Sequence, residues 1–171
     1  MLEKAVLYAD RALTRVLDIA VIALAGLLFV LLNWAVFSRF VMNASVSWGE
    51  ELPAHLLAVL TFIGAAYLTR TNEHLGFDSV VKILPPALKR AVMAVNLALM
   101  TLFSGLLAWY GAIAAASFAS RQMISVDLPM ALFRGAMPLG AALICAICLV
   151  RLAALLMGRI SPDSLLPETD A

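Results

Sequence analysis

The chain has very little charge for its length. Of its 171 residues, 13% are Asp, Glu, Lys or Arg, whereas a soluble domain carries about 25%. The net charge of +1 excludes the strongly basic surface of a nucleic-acid-binding protein. With 64% hydrophobic residues and a mean hydropathy of +0.99, the chain would aggregate in water. The composition therefore predicts an integral membrane protein.

Motifs that carry chemistry are also scarce. The sequence has no G-x-x-x-x-G-K-[ST] loop, so no nucleotide drives transport through this chain. The H-E-x-x-H and G-x-S-x-G motifs of hydrolases are absent. Cys145 and Cys148 form a C-x-x-C that is either a redox or metal pair or two small apolar residues. Further metal ligands are missing near these cysteines in the sequence, so we interpret both as packing residues. We interpret His55, a single histidine near the start of an apolar stretch, as a hydrogen-bonded residue and not as a metal ligand.

What the sequence does contain is long uncharged stretches. The four longest cover residues 19–38, 52–69, 91–120 and 135–150. At about 1.5 Å per residue, 18 to 30 helical residues span roughly 27 to 45 Å, and a bilayer core is about 30 Å thick. The fourth stretch is the shortest, but Arg151 can snorkel and let the apolar run continue to Gly158.

We therefore predict an all-α integral membrane protein with one four-helix transmembrane domain over residues 1–160. The predicted spans are about 19–38, 52–69, 88–118 and 135–158. Pro85 and Pro86 suit the start of the third, since proline is tolerated in a first helical turn. Apolar and charged residues mix over 1–18 and 75–84, which is typical of amphipathic helices at the membrane interface. Residues 161–171 are polar and contain two prolines, so we expect a disordered cytoplasmic tail.

The distribution of Lys and Arg predicts the orientation. Nine of these residues lie on the side that holds the two termini and the second loop, and three lie in the first and third loops. Positively charged loops stay in the cytoplasm. We therefore predict a multi-pass membrane protein with both termini cytoplasmic.

Small residues suggest helix contacts. Gly111, Ala115 and Ala119 are four residues apart in span three, and Ala136 and Gly140 share that spacing in span four. This spacing lets helix backbones approach closely, within the chain or with a partner. The alternative is that alanine is simply common in membrane helices. Deeper in span three, Trp109 and Tyr110 are expected to pack against a neighbouring helix.

A polar motif, Ser47-Trp48-Gly49-Glu50-Glu51-Leu52, precedes span two. Ser47 and Glu50 fit a capping box, in which each side chain accepts a hydrogen bond from a backbone N–H at the helix start. Glu50 and Glu51 point about 100° apart on a helix. We expect one to cap and the other to pair with a cation, for which Arg39 is a candidate.

A second motif, Arg70-x-x-x-His74-x-x-x-Asp78, follows span two. Steps of four place the three side chains on one stripe of a continuing helix. Such a row can relay protons, or it can form a hydrogen-bonded surface that contacts lipid or a partner. The position beside the cytoplasmic headgroups favours the second interpretation.

A third motif, Ser125-Val126-Asp127-Leu128-Pro129, precedes span four. It is typical of a turn into a helix, and Asp127 is expected to pair with Arg121 or Arg134.

Together these motifs resemble one family, the small DctQ-type membrane subunit of tripartite ATP-independent periplasmic (TRAP) transporters. The resemblance rests on Arg39-Phe40-Val41-Met42-Asn43 and on the three motifs above, in this order along the chain. It implies a large membrane subunit that carries the substrate and sodium sites, and an extracytoplasmic binding protein that delivers a small organic anion. The small subunit would then be a scaffold with no cofactor, catalytic residue or metal of its own.

By resemblance, seven residues are candidates for contact with the partner or with lipid. They are Arg39, Trp48, Glu50, Glu51, Arg70, His74 and Asp78. Two other functions stay open at this point. A self-sufficient proton-coupled transporter of four spans needs a membrane-embedded carboxylate, and Asp18, Glu50 and Glu51 all lie at span edges. An intramembrane enzyme needs converging acid, base or metal groups, for which Arg70, His74 and Asp78 are the best set.

Overall fold

The computed structural model describes residues 2–71, 81 and 83–162, with side chains from residue 12 onward. Its helices are α1 (Leu2–Phe40), α2 (Glu51–Thr71), α3 (Pro86–Ser117), α4 (Met130–Arg134) and α5 (Ala136–Leu156). Four segments are long and apolar enough to cross a membrane: Ala12–Phe40, Glu51–Thr71, Pro86–Ser117 and Met130–Leu156. The predicted all-α fold with four spans is confirmed.

The helix boundaries follow local sequence signals. The amphipathic N-terminal segment is helical and continues into the first span without a break, so α1 has 39 residues. Pro85 and Pro86 lie at the start of α3, as predicted, because a proline N–H is not needed in a first turn. Most of the predicted helix over 75–84, and the tail from residue 163, lie outside the described residues.

The fourth span is divided in two near its start. The short helix α4 ends at Arg134, and α5 begins after Gly135. Pro138 cannot donate a hydrogen bond to the carbonyl of Arg134, four residues earlier, and its ring crowds that carbonyl. The Gly135 N–H still bonds to the Ala131 carbonyl at 2.8 Å, and the Leu139 N–H bonds to the Gly135 carbonyl at 3.2 Å. Helical hydrogen bonds therefore continue across the division.

The four spans form an open row. Extensive contacts join α1 to α2, α2 to α5, and α5 to α3. A closed four-helix bundle would also join α1 to α3, and these two helices do not pack extensively within the described part of the chain. The last span therefore lies between the second and third, and α1 is held by one neighbour.

Small residues make the inner contacts of the row. Gly140 on α5 lies so close to α2 that an added Cβ would be 2.7 Å from the Phe62 carbonyl oxygen. Gly111 on α3 is buried against Met137 and Pro138 of α5. The predicted helix contact is confirmed at these positions, whereas Ala119 is exposed.

The opposite end of the row has an apolar cluster. Val81, Met93, Leu97, Cys148 and Leu155 are buried together there. Cys148 is fully buried and free, and Cys145 Sγ lies 3.5 Å from the Thr101 carbonyl on α3. The interpretation of the two cysteines as packing residues is confirmed.

The close approach at Gly140 gives a test of the α2–α5 contact. Gly140→Ala is expected to destabilise the protein by about 1 to 3 kcal/mol, because the new methyl group meets backbone that cannot rotate away. The measurement is the thermal unfolding midpoint in mild detergent. Gly64→Ala on α2 is the control, since no atom lies within 4 Å of its added Cβ. Equal midpoints for the two variants would contradict the contact.

Candidate functional site at the two ends of the helix row

Arg151 of α5 binds the C-terminus of α2. Its Nη1 donates to the Thr69 carbonyl at 2.5 Å, and its Nη2 donates to the Arg70 carbonyl at 2.7 Å. The last four carbonyls of a helix have no partner within the helix and form the negative end of its dipole. The Arg151 guanidinium therefore satisfies two carbonyls at the end of a neighbouring span.

Two more arginines at this end also bind a neighbouring helix. Arg90 of α3 donates from Nη2 to the Leu155 carbonyl of α5 at 2.7 Å, and Arg70 of α2 donates from Nε to Thr14 Oγ1 of α1 at 3.3 Å. With Arg151, they connect all four spans in the order of the row. We call this end of the protein the arginine end. His74 and Asp78, predicted to share a stripe with Arg70, lie outside the described residues.

At the other end, the loop end, residues 41–50 connect α1 to α2 and residues 118–135 connect α3 to α5. Arg39 and Glu50 form an ion pair here at 2.7 Å, as expected for one of the two glutamates. The side chains are 51% and 83% exposed, so solvent screens this pair and its contribution to stability is small.

Glu51 holds the long loop. Its Oε1 accepts a hydrogen bond from the Ile124 N–H at 3.2 Å, and its Oε2 accepts from the Ser125 N–H at 2.9 Å and from Ser125 Oγ at 2.5 Å. Two backbone bonds, Met123 N–H to the Leu128 carbonyl and Met130 N–H to the Arg121 carbonyl, close this loop into a small hairpin. Charge-assisted bonds of this kind are strong, so Glu51 fixes the loop to the start of α2.

The predicted capping box is wrong. The Glu50 carboxylate binds Arg39, and Ser47 is exposed and makes no capping bond. The chain already turns over residues 47–50, and the Leu52 N–H bonds to the Trp48 carbonyl. Backbone carbonyls thus satisfy the donors that the side chains were expected to cap. Trp48 itself is half-buried in this turn.

Asp127 also departs from the prediction. It forms no ion pair with Arg121 or Arg134. Both guanidiniums lie instead against the ring of Phe118, with Cζ at 5.1 Å and 3.6 Å from the ring centre. An aromatic face attracts a cation without an acid.

His55 lines a cavity of about 230 Å³ between α2 and α3 at the loop end. Its ring lies 5.6 Å from the ring of Phe133, and its Nε2 is buried without a hydrogen-bond partner among the described residues. The expectation that His55 is hydrogen-bonded is wrong for this atom.

The outer surfaces of the row are apolar. Trp109 and Tyr110 are 70% and 65% exposed because the adjacent Gly111 is the residue that faces α5. They do not pack against another described helix, contrary to expectation. The described residues contain no group of three or more His, Cys, Asp or Glu that could hold a metal ion. Within the described part of the chain, the arrangement provides contacts between helices and exposed apolar faces, and it offers no converging acid, base or metal groups.

Sequence reasoning missed the roles of Arg90 and Arg151. A signal was present, since Arg90 directly precedes the uncharged stretch 91–120 and Arg151 directly follows the stretch 135–150. A cation at such a position binds either water or a helix terminus. Only the helix order decides which terminus that is. The partners of Glu51 had no such signal, because they lie far along the chain.

Replacement of Arg151 tests the arginine end. Arg151→Lys keeps the charge but cannot bridge two carbonyls as a planar guanidinium does. We expect Arg151→Lys to lose about 1 to 3 kcal/mol of stability, because one of the two carbonyls loses its donor, and Arg151→Met to lose more, because both carbonyls lose it. The thermal unfolding midpoint in detergent measures this. Arg159→Lys, exposed at the same end, should be unchanged. Full stability of Arg151→Lys would mean that charge alone suffices.

Replacement of Glu51 tests the loop end. In Glu51→Ala, the amides of Ile124 and Ser125 lose their acceptor, so hydrogen–deuterium exchange over residues 121–130 should become about tenfold faster or more. Glu50→Ala is the matched control, because it removes an adjacent carboxylate that binds Arg39 and not the loop. Equal exchange in both variants would show that the loop is held by other contacts.

Comparison with known proteins agrees with this architecture. Residues 28–158 match the model of the family described as tripartite ATP-independent periplasmic transporters, DctQ component. The C4-dicarboxylate TRAP transporter small permease protein DctQ of Rhodobacter capsulatus is 33% identical over 100 residues, which are 57% of this chain and 44% of that protein. The chain thus matches less than half the length of this relative. The family match covers most of the chain, which therefore belongs to the DctQ family of TRAP transporter components and is not an enzyme.

Proposed function

We propose that this chain is a scaffold that braces a larger membrane subunit of a TRAP transporter. The larger subunit would carry the substrate and sodium sites and move like an elevator, while this chain widens the fixed part of the complex. A soluble binding protein would deliver a small organic anion. The name of the Rhodobacter capsulatus relative makes a C4-dicarboxylate one candidate for this anion.

One observation carries the proposal: the spans form an open row without a charged centre. Charged residues of the described spans lie towards the ends, as with Glu51, Arg90 and Arg151. A transporter that works alone needs a cavity between its helices with groups that bind the solute near the middle of the membrane. A row one helix thick instead offers a broad apolar surface to a partner.

The exposed face of α3 supports a protein partner. Large apolar residues recur there every three or four positions over more than five turns. They are Val92, Val95, Leu99, Leu102, Phe103, Leu106, Trp109, Tyr110 and Ile113. Such a stripe suits packing against another membrane helix as well as contact with lipid.

Among the seven contact candidates, Arg39, Trp48 and Glu50 lie together at the loop end, where Glu50 is largely exposed. Glu51 holds the loop, and Arg70 fastens α1 at the arginine end. We propose that the arginine end is cytoplasmic, since it carries most of the Lys and Arg residues. The loop end would then meet the binding protein and the outer part of the large subunit.

The competing function is a self-sufficient proton-coupled transporter. The two ideas differ in what the purified chain does alone. The scaffold predicts no solute accumulation in vesicles that contain this chain, and sodium-dependent uptake once the large subunit and the binding protein are added. Accumulation of a small carboxylate by the chain alone would contradict the scaffold.

A variant of the loop end tests the proposed contact. Glu50→Gln combined with Glu51→Gln should reduce both co-purification of the large subunit and uptake by severalfold, because the variant loses the Arg39 pair and loosens the loop. Asp127→Asn is the matched control, an exposed loop-end carboxylate without an ion pair among the described residues. Normal co-purification and uptake in the double variant would limit Glu50 and Glu51 to local structure.

A further inference from the structure

The cavity beside His55 has walls suited to a hydrocarbon chain. It has a volume of about 230 Å³ and opens between α2 and α3 over the start of α5. Its apolar walls are Ala58, Phe62, Gly111, Ala114, Ala115, Phe133 and Met137. Small side chains on α3 leave the space unfilled. A helix about 10 Å across cannot enter it, whereas a thin chain can.

The rim of the cavity is positively charged. Arg134 lines the cavity, and both Arg134 and Arg121 lie against the ring of Phe118. Neither forms an ion pair with a described residue. Of the loop-end carboxylates, Glu50 binds Arg39, Glu51 binds the loop amides, and the exposed Asp127 forms no ion pair with either arginine. The two positively charged guanidinium groups beside the Phe118 ring attract an anion, and guanidinium groups bind phosphate well.

The wall of the cavity also holds an unsatisfied polar atom. His55 Nε2 is buried and has no hydrogen-bond partner among the described residues, which is costly in an apolar environment. His55 is four residues inside the start of α2, about 6 Å below the end of the helix. The ester groups of a phospholipid lie at a similar depth, just below its phosphate.

We propose that this cavity binds an anionic phospholipid. Its phosphate lies between Arg121 and Arg134, one acyl chain fills the cavity, and an ester group reaches His55 when the adjacent Phe133 ring moves aside. A small soluble anion would leave the apolar walls without a contact, and an uncharged hydrocarbon would leave the arginines without a counter-charge. Basic pockets between membrane helices bind lipid headgroups in this way. The bound chain would join α2 to α3, which do not pack extensively against each other.

Native mass spectrometry of the purified full chain tests the proposal. After removal of co-purified lipid, the protein is exposed to dioleoyl phosphatidylglycerol or to dioleoyl phosphatidylcholine, which has the same chains and no net charge. We expect preferential retention of phosphatidylglycerol. Arg121→Gln with Arg134→Gln should weaken that retention about tenfold or more, because charge-assisted contacts are lost. Ala114→Phe should block the cavity and reduce retention of both lipids.

Arg39→Gln is the control, because the charge of Arg39 is balanced by Glu50. The unfolding midpoint of each variant shows whether it is folded, and the double arginine variant tests the proposal even if Ala114→Phe does not fold. Equal retention of the two lipids, or unchanged phosphatidylglycerol retention in the arginine variant, would overturn the proposal. It would also be overturned if no lipid is retained and the Ala114→Cys variant cross-links to a co-purified membrane protein.

Discussion

The fold depends on how the carbonyl groups at the helix ends are satisfied. A membrane offers no water to the backbone in its core, so a helix end that lies near the hydrocarbon must find its partners in the protein. Here arginine side chains from neighbouring helices supply them. Arg90 binds the end of α5, and Arg151 binds the end of α2. Each of these hydrogen bonds satisfies a carbonyl at the end of one helix and holds that helix against its neighbour. The arginine caps therefore stabilise the order of the helices in the row.

The two ends of the row are fastened by opposite chemistry. At the arginine end, cations on helices bind carbonyls, whereas at the loop end the Glu51 carboxylate binds backbone N–H groups of a hairpin. Both arrangements suit the charges that helix termini attract, with anions at the N-terminus and cations at the C-terminus. Between the ends, close backbone contact at Gly140 replaces polar bonding. Polar contacts at both ends and small residues between them hold the helices in one row, without a second layer of helices in the described part of the chain.

The sequence predicted the parts of this structure that local physics controls. Apolar length predicted four spans, Pro85 and Pro86 predicted the start of α3, and neighbouring charges predicted the Arg39–Glu50 pair. The division of the fourth span was not predicted, although Pro138 carries a signal for it, because its nitrogen cannot donate a hydrogen bond to the Arg134 carbonyl. The bonds made by Glu51 and Arg151 were not predictable, because their partners depend on which helices become neighbours. The unpaired Nε2 of His55 could not be found for the same reason.

Within the described part of the chain, α1 and α3 do not pack extensively, and this connects the fold to the proposed function. Closing the row into a bundle would bury much of the apolar surface that α1 and α3 now expose. Because lipid is as apolar as these side chains, burial by itself gives little reason to close. The row closes only if specific contacts favour it, and Glu51, Arg90 and Arg151, which could provide them, are already engaged at the edges. The exposed faces are then left for whatever packs against them best. This chain belongs to a family of transporter components, and this surface is where we propose that a larger membrane subunit packs.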